Sequence, residues 1–144
     1  MTELRKNKSY QRLLQKMLRI EVLGEKFYDV LAAKTKDAQL KMDYQRLALN
    51  EHQTAEHIGK ELLLFNQDGD VSDGIFIAIM QFIFNLLPAR LLSFILKIIL
   101  KKRMYSGWFK TNRDTNQQFW DLLLQHENVQ HELLGRYWER EKSS

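Results

Sequence analysis

Residues 44–62 read Tyr44-Gln-Arg-Leu47-Ala48-Leu-Asn-Glu51-His-Gln-Thr54-Ala55-Glu-His-Ile58-Gly-Lys-Glu-Leu62. Tyr44, Leu47, Ala48, Ala55, Ile58 and Leu62 recur at the spacing of an α-helix with one apolar face. Glu51 falls on that same face, with Thr54 one turn on. An ionised carboxylate among leucines loses much of its hydration, so it is rarely placed there without a partner. The stretch therefore asks what bundle buries its face and what neutralises its acid.

The preceding region, from Ser9 to Thr35, repeats the pattern through Leu14, Met17, Leu18, Tyr28, Leu31 and Ala32. Its own stripe is interrupted by Glu21. Asp37 is a good N-cap for the helix that follows and runs to Phe65. Glu21 and Glu51 each stand 15 residues from Lys36, where the hairpin turns. Antiparallel helices of equal rise then bring the two carboxylates to one height. Like charges that close cannot both ionise freely; they need a metal, a proton or a buried cation.

Turn chemistry in Asn66-Gln-Asp-Gly-Asp70 ends the second helix, and Asp73 can cap a third. From Ile75 to Leu100 the chain is apolar on every side except at Gln81, Asn85, Pro88, Arg90, Ser93 and Lys97. Pro88 is expected to kink or split this region. The 26 residues are long enough to cross a bilayer, but a central proline and arginine argue against a simple span. The region either lies in a membrane surface or is buried in a homodimer, and both readings stay open. Ser106-Gly107 reads as a stop, and Thr111 with Asp114 as a capping box for a fourth helix to Glu141. On that helix Trp120, Leu123, Leu124, Leu134, Tyr137 and Trp138 form the apolar face, and Glu127 sits within it. The expected fold is all-α: one domain over 1–144, an antiparallel four-helix bundle with its third helix broken at Pro88.

Composition narrows the chemistry. The chain has no cysteine, which excludes disulfides, thiolate metal sites, iron–sulfur clusters and cysteine nucleophiles. Net charge is only +4, but the basic residues cluster. One group spans Arg5 to Arg19, with no apolar block that would make a secretory signal. The other is Lys97, Lys101, Lys102, Arg103, Lys110 and Arg113, beside the apolar segment. No nucleic-acid motif accompanies this charge, so nucleic acid is not expected as a partner. An anionic membrane surface fits the second group better. The expected address is cytoplasmic, with peripheral attachment to a membrane.

Glu21-x-x-Gly24-x-x-x-Tyr28, followed by Glu51-x-x-Thr54, resembles the first helix pair of rubrerythrins and demethoxyubiquinone hydroxylases, diiron-carboxylate members of the ferritin-like superfamily. The resemblance covers the first two helices well, the fourth in part and the third hardly at all. It implies a ferritin-like bundle holding iron or manganese, in a redox or iron-handling role with a lipophilic, quinone-like substrate. Carried over residue by residue, it implies Glu21, Glu51 and Glu127 as metal ligands. His131, four residues after Glu127, is available to a rearranged site. The chain departs from the pattern at Thr54 and Gln130, where the family has histidines, and on the third helix, which holds no acid.

Each sharp reading has a plainer one beside it. The three glutamates equally suit a metal-free polar core, protonated or compensated by a cation such as Lys97, in a bundle that binds lipid or oligomerises. His52, His57 and His126 fall off the core stripes and are expected to be exposed. Glu25 is an auxiliary ligand or a residue of the bundle edge. Tyr28 and Tyr105 are expected to pack in the core with hydrogen-bonded hydroxyls.

Overall fold

The computed structural model describes residues 2–65 and 74–143, with side-chain burial described over 8–65 and 74–139. The turn at Asn66–Asp70 and the Asp73 cap lie outside the described residues. Among those residues all regular structure is helical: α1 (Thr2–Lys34), α2 (Ala38–Leu63), α3 (Gly74–Leu86), α4 (Ala89–Lys101), α5 (Met104–Asn112) and α6 (Gln117–Ser143). The chain divides into two compact units, Met1–Pro88 and Ala89–Ser144.

In the first unit α1 and α2 form a hairpin. Asp37 caps α2 as expected, its Oδ1 accepting from the Leu40 amide at 2.9 Å. At the far end the Tyr10 hydroxyl donates to Glu61 Oε1 over 3.4 Å and the Tyr10 ring meets Phe65 edge-on. Midway, Tyr28 stacks on Tyr44, two residues equally distant from Lys36. The pairing is thus antiparallel and centred on Lys36. Leu14, Met17, Leu31, Leu47, Ile58 and Leu62 are almost wholly buried, each contributing about 1.5–3 kcal/mol of transfer free energy.

α3 leans its C-terminal end on α1. Phe84 meets Phe27 edge-on with ring centroids 5.0 Å apart. Lys34 donates its ammonium to the carbonyls of Asn85 and Leu87, groups that the end of a helix leaves without intrahelical partners. Pro88 then interrupts the apolar run, and the expected split is found there. Of α3 only Ile77 is buried, while Ile75, Ile79, Phe82 and Leu86 are exposed.

In the second unit the expected breaks shift. The chain does not stop at Ser106-Gly107; it turns at Lys102–Arg103, where Arg103 adopts φ 42° and ψ 57°. A non-glycine residue in this left-handed region is strained by about 1–2 kcal/mol. The helix α5 runs on through Ser106-Gly107, with the Gly107 amide donating to the Arg103 carbonyl at 3.3 Å. Thr111 is consequently inside α5 and does not begin the last helix. Asn116 does, its Oδ1 accepting from the Phe119 amide at 3.2 Å. α4 turns Leu92, Leu96 and Leu100 inward, and α6 buries Phe119, Trp120, Leu123 and Leu134.

Candidate functional site

The hairpin buries both of its central acids: Glu21 is 2% and Glu51 5% exposed. Each offers a carboxylate oxygen within 4.8 Å of the other's. Gly24, one turn after Glu21, makes the approach possible. A Cβ there would lie 2.9 Å from Glu51 Oε2 and 3.0 Å from its Cδ, so any side chain on this turn would press on the Glu51 carboxylate. Tyr28, the next residue along the face, is pushed to a pKa well above its ordinary value, by burial first and then by the charges of Glu51, Glu21 and Tyr44. It stays a neutral phenol. Thr54 is also buried, and its hydroxyl donates back to the Asn50 carbonyl at 2.9 Å.

Glu127, in the second unit, is buried to the same degree but differently used. Its Oε2 accepts from the Tyr105 amide at 2.9 Å and its Oε1 from the Ser106 hydroxyl at 2.7 Å. Those donors form the first turn of α5, where the helix's unpaired N–H groups and positive dipole end favour an anion. Arg103, the N-cap residue, supplies no capping side chain. Glu127 takes over that role from α6.

His131 is half-buried. Its pKa is held below the ordinary value by burial and then by the Arg103 charge, against smaller upward pulls from Glu127 and a hydrogen bond with the Leu100 backbone. Its Nε2 is buried without a hydrogen-bond partner. Lys97, considered as a counter-charge for the acids, has its ammonium 5.5 Å from the centroid of the Trp138 ring.

His126 corrects the expectation of exposure: it is 5% exposed, its Nε2 lies 3.0 Å from Gln130 Nε2, and its ring lies beside Tyr105. The Gln130 amide nitrogen that faces the ring can only donate, so His126 Nε2 accepts and the ring proton sits on Nδ1. The signal was present in the spacing, because His126 stands three residues after Leu123 and four before Gln130. His52 and His57 are exposed as expected. His52 bridges the hairpin, with Nδ1 3.3 Å from Glu25 and Nε2 3.2 Å from Glu56.

Of the four residues singled out as metal ligands, Glu21 and Glu51 come together within the first unit. Glu127 and His131 belong to the second, each with the local surroundings just given. The paired acids suit a hard divalent cation such as manganese or ferrous iron. Two metal–oxygen bonds of about 2.0–2.2 Å span at most roughly 4 Å, and the two carboxylate oxygens lie within 4.8 Å of each other. The same pair can instead share a proton. Tested against protein-family models, curated proteins and solved structures, the chain matches none.

Proposed function

We propose that this chain is a ferritin-like carboxylate-bundle protein that binds iron or manganese at Glu21 and Glu51. Its role would be redox or iron-handling, on a lipophilic substrate at a membrane surface. The observation that carries the reading is the buried carboxylate pair, set face to face across a hairpin with a glycine where a side chain would block it. Two acids kept at one height inside an apolar core are costly unless their charge is used. A metal held there would supply one-electron chemistry. The protein's part is to hold the ion through Glu21 and Glu51, to leave the Glu51 carboxylate its place beside Gly24, and to keep the Tyr28 phenol protonated. The apolar hairpin core limits the access of water.

A second reading is a metal-free bundle of the same ancestry, serving as a lipid-binding or oligomerising module. It draws support from Thr54, which bonds to its own helix, and from Glu127, whose oxygens both serve α5. Elemental analysis of protein purified without chelator, with thermal melts in added Fe(II) or Mn(II), separates the two. Saturating metal at about 100 times its dissociation constant stabilises by about 2.7 kcal/mol. The first reading expects that gain in the wild type and its absence in Glu51→Gln. An unmetallated wild type whose melt ignores both ions would leave the second.

A further inference from the structure

We infer that α4 is a lipid-docking helix whose outer face enters the surface of an anionic bilayer. This deepens the membrane-surface address proposed above and rests on it. The inner side of α4 carries Leu92, Leu96 and Leu100, all buried. The outer side should then be polar, and it is not. Leu91, Phe94 and Ile98, at helical spacing, are 41%, 59% and 45% exposed. Arg90 stands at one end of this apolar row and Lys101 with Lys102 at the other, all exposed.

Charge selects the occupant. No Asp or Glu occurs from Gly74 to Arg113, so α4 and its flanks are cationic without relief. Pairing this face with a second copy of itself about a two-fold axis would set cations against cations in either register. A surface of anionic phospholipid offers acyl chains for Leu91, Phe94 and Ile98, with phosphates at the level of Arg90, Lys101 and Lys102. The 13 residues of α4 extend only about 20 Å, short of the roughly 30 Å hydrocarbon core, so the helix lies in the interface. Consistently, no helix among the described residues is long and apolar enough to cross a membrane.

The test is co-sedimentation of the full chain with phosphatidylcholine vesicles, with and without phosphatidylglycerol. The wild type is expected to bind only the anionic vesicles and to release in high salt. The double variant Phe94→Asp with Ile98→Asp should bind at least about 10-fold more weakly, having lost apolar contact and gained like charge. Lys101→Gln with Lys102→Gln, which leaves the apolar row intact, should weaken binding by about 10-fold. Phe82→Asp, on the exposed side of α3, should bind as the wild type does. Circular dichroism confirms that each variant is folded. Binding that survives the α4 changes but is lost in Phe82→Asp overturns the assignment to α4 and leaves the membrane address standing. A folded wild type that ignores anionic vesicles overturns both, and a dimer that Phe94→Asp with Ile98→Asp dissociates would name a second copy as the true occupant.

Discussion

The α1–α2 hairpin and the α5–α6 corner both bury glutamate in an apolar face, and they solve the resulting problem in opposite ways. Glu127 meets the first turn of α5, where its charge is wanted: an amide and a hydroxyl donate to its two oxygens. Glu21 and Glu51 meet each other, within 4.8 Å. The first arrangement is satisfied by donors at the start of α5. In the second, each charge makes the other more costly, which a cation or a shared proton would relieve. A buried acid in a helical stripe is therefore not by itself the mark of a site; what it faces decides.

The comparison is most easily broken by removing the acids one at a time. Glu127→Ala strands the donors of Tyr105 and Ser106 and leaves the strained Arg103 turn without compensation. It should destabilise the second unit by about 3 kcal/mol, since hydrogen bonds to a charged group are worth about 1.5–3 kcal/mol each. Chemical denaturation of the two proteins measures it; an unchanged midpoint would mean that the α5 cap does not depend on Glu127. Glu51→Gln should act in the other direction. In metal-free protein it relieves a like-charge contact and should stabilise by about 1 kcal/mol. Metal-dependent stabilisation should disappear in the same variant.

How much of this was legible in the sequence follows from the same contrast. The hairpin register came from Lys36 and two periodic stripes, the α2 cap from Asp37, and the α3–α4 split from Pro88. Each is a local signal with a short-range physical cause. The role of Glu127 was not legible, because it depends on the start of a helix some twenty residues away. That start has no glycine to announce it: Arg103 takes the left-handed conformation that a glycine would normally supply. The Ser106-Gly107 pair misled for the same reason, being held in a helix by the Glu127 contact. His126 was misplaced because the stripe on α6 is wider than the aromatic and aliphatic residues alone suggest.

A subtler probe of the hairpin is Gly24→Ala. Alanine is the better helix former by about 1 kcal/mol. Its Cβ would lie 2.9 Å from Glu51 Oε2, so the carboxylate must move. The two effects are of similar size, and the metal-free melting temperature should barely change. Affinity for Fe(II) or Mn(II) should nonetheless fall about 10-fold, as it does when a ligand's orientation is disturbed. An unaltered affinity, measured by the metal-dependent shift of the melt, would show that the position of Glu51 is not what binds the ion.

The smallest expected effects belong to two histidines whose pKa values move in opposite directions. His52 is raised above 6.5, first by its hydrogen bond to Glu25 and the charge of that group, with Glu56 adding to it. A raised folded-state pKa means that the protonated form is favoured in the fold. Its contribution is fully present below about pH 6.5 and is lost as the pH climbs through the folded value. His131 is lowered below 6.5, by burial first and the Arg103 charge second. Here the neutral form is favoured, so stability is full above about pH 6.5 and is lost as the pH falls through the folded value. His52 is exposed, so solvent screening keeps its slope shallow. Melting temperatures followed from about pH 8 to pH 5 should therefore change slope in opposite senses in two single variants. His52→Gln removes a gain on the acid side, and its curve should fall below the wild type there. His131→Gln removes a loss on the acid side, and its curve should rise above the wild type there. Two variants that shift the acid limb in the same sense would mean that one of the two rings is not in the surroundings described.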